Sequence, residues 1–151
     1  MLSELLSTER VRVPLGSHSK ADLLRELVHL ALGDADEETV RGVLAAVELR
    51  EAEVSTAMGR GLAIPHGRTE FVDAPHMAAG LVEGVRDYAS PDGSPVRVVF
   101  LVVTPPGGAT THVRILSRIA RLMHQPESQA RLLGARTAGE FVAAIGTETS
   151  K

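Results

Sequence analysis

One histidine in this chain stands in a setting suited to chemistry on an anionic group. His66 follows Pro65 and precedes Gly67 in residues 55–68, which read STAMGRGLAIPHGR. An imidazole with an ordinary pKa near 6.5 is largely the free base at neutral pH, so its nitrogen can attack phosphorus. The segment therefore predicts a histidine that accepts a phosphoryl group and passes it on.

The side chains around His66 favour the same chemistry. Phosphoryl transfer passes through a loose transition state, so the protein mainly has to position the group and balance its charge. Pro65 fixes its own φ and stiffens the chain before His66. Arg50, Arg60 and Arg68 are candidate phosphate ligands, because a guanidinium matches phosphate oxygens in pairs. Ordinary surface charge is the alternative for the arginines, and Arg50 also suits the end of a helix.

Small residues in the segment are further candidates for binding phosphate or a partner protein. Gly59 and Gly61 let a bulky group approach the backbone, and their amides are potential hydrogen-bond donors to oxygen. Ser55 stands at the start of the same segment. A plain turn is the alternative explanation for the two glycines.

A second histidine follows the sequence PPGG at residues 105–108, which ends a predicted strand. His112 lies near the start of a predicted helix, directly after a predicted strand. Ligands of α/β proteins gather where strands end and helices begin, and a helix N-terminus favours an anion. His112 is therefore predicted to contact His66 or its phosphoryl oxygens, with an exposed helix-start histidine as the alternative. The same helix carries three arginines that predict a solvated face or a docking face for an acidic partner: Arg114, Arg118 and Arg121.

Hydrophobic periodicity predicts alternating strands and helices. The apolar run at residues 98–103 indicates a central strand covered on both faces. We expect an α/β fold with a single domain over residues 1–151, in which helices flank both faces of a central mixed, mostly parallel sheet. The predicted strands are 11–15, 62–64, 77–82 and 97–104. The predicted helices open at Ser19 and stop at Gly33, open at Asp34 or Asp36, open near Thr110 or Thr111, and lie around 126–133 and 138–145.

Composition excludes several classes of function. The chain has 151 residues, 44% of them hydrophobic, and a net charge of −3 without a basic cluster. It has no tryptophan and only three Phe and one Tyr, which argues against binding nucleic acid by base stacking. The absence of cysteine excludes disulfides and thiolate sites, and no HExxH or GxSxG motif occurs. We therefore expect no metal and no cofactor. The acidic N-terminus and the lack of a long apolar run predict a cytoplasmic protein without direct membrane insertion.

The segment before His66 resembles type 2 IIA domains of the bacterial phosphoenolpyruvate-dependent phosphotransferase system, the fructose, mannitol and nitrogen-regulatory group. Their pattern is an Arg-Glu pair followed by Ser-Thr-Gly-Ile-Gly-x-Gly-(Ile/Val)-Ala-Ile-Pro-His. Arg50-Glu51 and residues 55–66 match it, apart from Ala57 and Met58 where Gly and Ile are common. The likeness extends over nearly the whole chain and includes Phe100, His112 and Leu116. A position that needs positive φ would strain Ala57.

The resemblance implies a phosphoryl carrier. His66 is then the phosphorylated residue, charged by the phosphocarrier HPr or a paralogue, with Arg50 and His112 beside it. The PHGR ending favours the nitrogen-regulatory branch, in which the phosphorylation state governs binding to a regulated target protein. The alternatives are a sugar-specific IIA component of the fructose or mannitol class that donates to a IIB domain, and a regulatory binding protein whose site does not turn over.

Overall fold

The apolar run predicted as the central strand is β6 (Val96–Thr104), and the rest of the sheet forms around it. The computed structural model describes residues 2–149. The strands are β1 (Val11–Arg12), β2 (Ala57–Gly59), β3 (Leu62–Ala63), β4 (His66–Arg68), β5 (His76–Val85) and β6. The helices are α1 (Leu2–Leu5), α2 (Lys20–Leu32), α3 (Glu37–Glu53), α4 (Ala109–His124), α5 (Pro126–Leu133) and α6 (Ala138–Thr149), with a 3-10 turn at Thr8–Arg10.

The sheet is mixed, as predicted, and three of its five strand pairs are parallel. Its order is β1-β5-β6-β3-β2, and β4 also pairs with β6. Strand β6 runs antiparallel to β5 and parallel to both β3 and β4, while β1 is parallel to β5 and β2 antiparallel to β3. Because β3 and β4 lie one after the other along the same edge of β6, the chain between them stays in the plane of the sheet.

Helices cover both faces of the sheet, which confirms the predicted layers. Successive residues of a strand point to opposite faces, so β6 contributes to two cores. Val99, Leu101 and Val103 pack with α2 and α3. The opposite face packs with α1, α4, α5 and α6 through Val98, Phe100 and Val102. All six side chains are fully buried, as the apolar run indicated.

Local capping signals account for the helix ends. The Ser19 side chain accepts a hydrogen bond from the Asp22 amide at the start of α2, and Gly33 ends that helix at φ 57°. Of the two predicted caps for α3, Asp36 is the one used, and it accepts from the Thr39 amide. Helix α4 begins at Ala109 with Gly108 as its cap, one residue before the predicted start.

Strand β1 is shorter than predicted and three elements were missed, while β5 and α6 extend beyond their predicted ends. Strand β1 ends at Arg12 instead of residue 15, because Pro14 has no amide hydrogen to give to a sheet ladder. Helix α1 and the short strands β2 and β4 carry no periodic signal of their own and were not predicted. Two- and three-residue strands exist because a neighbouring strand pairs with them, so their pairing is a tertiary effect.

Candidate functional site

Pro65 places His66 at the start of β4. Strand β3 pairs Leu62 with Val98 of β6, and β4 resumes the same ladder with His66 opposite Val102. The Pro65 carbonyl accepts a hydrogen bond from the Val102 amide at 3.1 Å, so the interruption keeps its attachment to the central strand. The proline thus separates two strand segments without releasing the chain, and it holds His66 against the rigid centre of the sheet.

The ring of His66 is oriented by a backbone carbonyl. Its Nδ1 lies 2.9 Å from the oxygen of Ile64. A carbonyl oxygen only accepts hydrogen bonds, so Nδ1 carries the hydrogen and Nε2 retains its lone pair. Desolvation lowers the pKa of His66 and outweighs the carbonyl, which acts in the opposite direction, while the charge of Arg50 lowers this pKa further. The arrangement therefore favours an uncharged imidazole with a free Nε2.

A cleft of about 390 Å³ opens beside His66. Arg50 contributes its polar rim, and the hydroxyl residues Ser55 and Ser117 also line it. The remaining walls are largely apolar and come from β2, the end of β3 and α4: Ala57, Met58, Ile64, Leu116 and Ala120. The volume of the cleft is large enough for a group of the size of a phosphoryl group.

Helix α3 reaches the cleft because a glycine lets it approach β4. A Cβ at Gly67 would lie 3.2 Å from both the Cγ2 and the backbone nitrogen of Val47, which is tighter than ordinary contact. One turn further along the helix, Arg50 faces the cleft. Its Nη1 donates to the Val54 carbonyl at 3.0 Å, so it also satisfies the C-terminus of α3. Arg50 therefore serves a helix end and supplies positive charge beside His66.

His112 meets His66 from helix α4, which follows β6 in the chain. It is buried in the first turn of α4, and its Nδ1 lies 2.8 Å from Oγ1 of Thr104, the last residue of β6. The two imidazole rings meet edge to face, with centroids 5.1 Å apart. Burial lowers the pKa of His112 to about 4, helped by the neighbouring His66 and by the charge of Arg68. His112 is therefore uncharged at neutral pH.

The remaining predicted residues are divided between this cleft and other places. Ser55 lines the cleft, but its hydroxyl donates to the Ala89 carbonyl at 2.5 Å. Arg68 is exposed at the end of β4, on the strand that begins with His66. Arg114 and Arg121 are exposed on α4 and Arg118 is half-buried. Met58 is exposed at the edge of the cleft.

The glycine turn uses two of its amides within the fold. Gly59, Arg60 and Gly61 have φ values of 91°, 57° and 81° and form the turn between β2 and β3. The Arg60 amide donates to Asp92 at 2.9 Å and the Gly61 amide to Ser94 at 3.2 Å. Of the two amides predicted for phosphate, that of Gly61 therefore has a partner within the fold.

The departure at Ala57 carries no backbone strain. Ala57 belongs to β2 and is not among the residues with positive φ, whereas Arg60 is. Its side chain is buried against the face covered by α2 and α3. Position 57 is therefore an ordinary strand position, and the residue with positive φ, Arg60, lies three residues later.

A buried polar cluster behind the cleft was not predicted. Glu51 is 5% exposed and lies at the end of α3, where it accepts hydrogen bonds from Thr56 and Tyr88 and pairs with Lys20. Burial raises the pKa of Glu51, but the hydrogen bonds from Thr56, Tyr88 and Lys20 together bring it below its ordinary value. The only local signal was the Arg50-Glu51 pair, since Lys20 and Tyr88 are distant in sequence.

The described part of the chain also bears on metal binding and on membrane crossing. Among residues 2–149, no group of three or more His, Asp or Glu side chains is arranged to hold a metal ion. Over the same residues, none of the helices combines the length and the apolar character that crossing a bilayer requires.

Comparison with known proteins places the fold and the segment around His66 in one family. The model of the family described as phosphoenolpyruvate-dependent sugar phosphotransferase system, EIIA 2, matches residues 4–147. A nitrogen regulatory protein of Bradyrhizobium diazoefficiens is 31% identical over 91% of this chain and 89% of its own length. The fructose-specific EIIABC component of Bacillus subtilis is 31% identical over 90% of this chain. Our chain spans only 21% of that longer relative.

Solved structures agree with the family match. The nitrogen regulatory protein IIA-Ntr from Neisseria meningitidis superimposes with a TM-score of 0.85 at 28% identity, covering 95% of this chain and 98% of that one. An Escherichia coli complex of enzyme IIA mannitol with phosphorylated enzyme IIB mannitol gives 0.74 at 19% identity, over 94% and 97%, which is a likeness of fold. This chain therefore belongs to the EIIA 2 family of the phosphoenolpyruvate-dependent sugar phosphotransferase system.

Proposed function

We propose that this protein carries a phosphoryl group on Nε2 of His66, received from an HPr-like phosphocarrier. The observation that carries the proposal is the hydrogen bond from His66 Nδ1 to the Ile64 carbonyl. It leaves Nε2 as the nucleophilic nitrogen, in a ring whose lowered pKa keeps it unprotonated. The same ring faces a cleft that is open to a partner.

The transfer is a displacement at phosphorus. The Nε2 lone pair of His66 forms the new P–N bond while the bond from phosphorus to the donor's nitrogen breaks, and the electron pair leaves with the donor. Nδ1 keeps its hydrogen throughout, so the phosphorylated ring becomes positively charged. The Ile64 carbonyl, 2.9 Å away, stabilises that charge by accepting the Nδ1 hydrogen bond.

Arg50 and His112 are suited to the phosphoryl oxygens. Arg50 lines the cleft and supplies a permanent positive charge. His112 is uncharged at neutral pH and its ring meets that of His66. When the Thr104 hydroxyl donates to His112 Nδ1, the hydrogen of His112 lies on Nε2, where it can be donated to an oxygen. In this proposal Arg68 adds charge at the edge of the site.

An exposed apolar rim suits a protein as the donor and the recipient. Met58 lines the cleft and is 55% exposed, although it is a large hydrophobic residue. Val54, 67% exposed, precedes the cleft residue Ser55, and Val113, 61% exposed, follows His112. Exposed apolar side chains around a polar centre are typical of a protein interaction site. Gly59, Arg60 and Gly61 flank this rim and have their proposed role in partner contact there.

For the recipient, we favour a nitrogen-regulatory role, in which the phosphorylation state of His66 controls binding to a target protein. Its support is the PHGR sequence at residues 65–68 and the likeness to the Neisseria nitrogen regulatory protein over nearly the whole of both chains. The second candidate is donation to a IIB domain during sugar uptake. Its support is the identity to the fructose-specific relative, 31% as for the Bradyrhizobium nitrogen regulatory protein, and the fold shared with a IIA domain in complex with phosphorylated IIB. A binding protein without turnover is the third.

Labelling tests the proposal directly. The protein is incubated with labelled phosphoenolpyruvate, enzyme I and an HPr-type carrier, and His66→Ala is treated in parallel. We expect label on the wild type alone, in an adduct that is stable to base and labile to acid. Equal labelling of both proteins, or none in either, would overturn the assignment of His66. Adding a fructose-class IIB domain then separates the recipients, because rapid loss of label to IIB supports the transport role over the regulatory one.

A further inference from the structure

Glu51 is a buried charge that the phosphoryl chemistry does not use directly. Four polar groups of Thr56, Tyr88 and Lys20 surround its two oxygens. Its Oε1 lies 2.6 Å from the Thr56 hydroxyl and 2.8 Å from the Tyr88 hydroxyl, and these two hydroxyls also hydrogen-bond each other at 2.5 Å. Its Oε2 accepts from the Thr56 amide at 2.8 Å and from Lys20 Nζ at 3.0 Å. Lys20 also lies over the ring of Tyr88, 4.5 Å from its centroid. Both oxygens of the carboxylate are therefore fully engaged.

Two hydrogen bonds in series join this cluster to the ring of His66. The carbonyl of Thr56 accepts from the Ile64 amide at 3.1 Å. The carbonyl of the same Ile64 accepts from His66 Nδ1 at 2.9 Å. Glu51 holds Thr56 by both its amide and its hydroxyl, so the position of Ile64 depends on a residue fixed from behind. A continuous series of hydrogen bonds thus joins Glu51 to the carbonyl that sets the tautomer of His66.

We propose that Glu51 is a positioning residue for His66: through Thr56 and Ile64 it keeps the imidazole in the tautomer that leaves Nε2 free. This inference rests on the proposed function of His66. Glu51 does not itself line the cleft; its carboxylate holds Thr56, which does, and it acts by fixing the carbonyl that receives the Nδ1 hydrogen. Its role is therefore distinct from that of Arg50, its neighbour in sequence.

Replacing Glu51 by glutamine tests whether its hydrogen bonds, and not only its volume, matter for this role. Glutamine has almost the same shape, but it offers one acceptor oxygen and an NH₂ group that can only donate. In one orientation the NH₂ group replaces Oε2 and faces the Thr56 amide and the Lys20 ammonium, both of which are donors. In the other it replaces Oε1 and faces the hydroxyls of Thr56 and Tyr88, which lose their acceptor there. Either orientation also removes the negative charge that strengthens these hydrogen bonds, so Thr56 should be held less firmly and loosen Ile64.

The test compares the His66 tautomer and the phosphorylation rate in one set of full-length proteins: wild type, Glu51→Gln and the control Glu48→Gln. Glu48 is an exposed carboxylate on the same helix. The tautomer is read from the ¹⁵N shifts of the imidazole without any phosphoryl donor, and the initial rate is measured with a phosphorylated HPr-type carrier. Circular dichroism fixes a temperature at which all three are folded. We expect Glu51→Gln to lose the Nδ1–H preference and to slow phosphorylation roughly tenfold, with both readouts unchanged in Glu48→Gln.

The other possible results also support or overturn the positioning role of Glu51. A folded Glu51→Gln protein with the wild-type tautomer and rate overturns the positioning role and leaves Glu51 a structural residue. If wild type takes up no phosphoryl group, the proposed function fails, while the tautomer measurement still decides the role of Glu51. If Glu51→Gln does not fold, Tyr88→Phe and Lys20→Met each remove one of the four polar groups around the carboxylate. A smaller shift of the tautomer in the same direction supports the proposal, and no shift in either overturns it.

Discussion

The imidazole rings of His66 and His112 lie edge to face, with 5.1 Å between their centroids and 68° between their planes. They reach this arrangement from different elements, because β4 runs parallel to β6 and α4 begins directly after β6. Desolvation lowers the pKa of both, and two charged imidazoles at this separation would repel each other. An uncharged pair is therefore the stable state until negative charge arrives at the site.

Phosphorylation of His66 should raise the pKa of His112. A phosphoryl group carries more than one negative charge at neutral pH, and an opposite charge nearby favours the protonated imidazole. We expect the pKa of His112 to rise from about 4 towards its ordinary 6.5. The measurement is an NMR titration of the His112 ring between pH 8 and pH 6, before and after phosphorylation. Identical His112 shifts in the two states would place its ring outside the reach of the phosphoryl charge.

Acid should weaken the fold through His112. Its folded-state pKa of about 4 lies below the unfolded value of 6.5, so the unfolded chain binds more protons between these values. The stabilising contribution is complete above about pH 6.5 and is lost as pH falls towards 4. We expect a loss on the order of 1–2 kcal/mol after allowance for solvent screening at the open cleft. Denaturant unfolding at pH 7 and pH 5 should show a smaller difference for His112→Gln than for wild type, and equal differences would contradict this.

Removing Arg50 should affect both the chemistry and the helix end. Arg50→Ala deletes the charge that lines the cleft, and we expect phosphorylation of His66 to slow roughly 10- to 100-fold. It also removes the hydrogen bond to Val54, at a cost of about 0.5–1 kcal/mol in the free energy of unfolding. Arg118→Ala, on α4, is the matched control. If Arg118→Ala slows transfer more than Arg50→Ala, Arg50 is a structural cation only.

The close approach of α3 to β4 predicts a sensitive glycine. A methyl group at Gly67 would press on Val47, so Gly67→Ala should lower the free energy of unfolding by about 1–3 kcal/mol. It should also slow phosphorylation, because α3 carries Arg50 and β4 carries His66. Gly107→Ala, where an added Cβ meets nothing within 4 Å, serves as the control. Both quantities can be measured on the same protein, by chemical denaturation and by initial rates of labelling. A Gly67→Ala protein as stable as the control would show that α3 can move without cost.

The turn between β2 and β3 predicts a stabilising substitution. Arg60 is held at φ 57°, a conformation that costs a side chain with Cβ about 1–2 kcal/mol and costs glycine less. Arg60→Gly should therefore raise the free energy of unfolding by roughly 0.5–1 kcal/mol, measured by chemical denaturation. Because the proposed role of Arg60 is in partner contact and not at the phosphoryl group, the rate of labelling of His66 at saturating carrier should stay within about twofold of wild type. A large loss of rate would make the Arg60 side chain part of the transfer site.

Much of the architecture could be predicted locally. The apolar run of β6, the cap at Ser19 and the glycine at 33 each depend on neighbours in the chain, and the structure has all three where the sequence indicated. The glycine turn was different. The Gly59 and Gly61 amides were candidates for phosphate, with a plain turn as the alternative, because nothing nearby in sequence indicated that Asp92 and Ser94 would bind amides of this turn.

His66 could be recognised in the sequence as a histidine held between Pro65 and Gly67 in a glycine-rich segment, and the family of the chain followed from that motif and its extension. The side chains that surround His66 could not, because they come from elements that packing brings together. Arg50 arrives on α3 through contact at Gly67, and His112 arrives on α4. Glu51 supports the Ile64 carbonyl from behind. Periodicity specifies which face of an element is buried, but packing across the sheet selects the elements that lie opposite each other, and that selection is a property of the whole core.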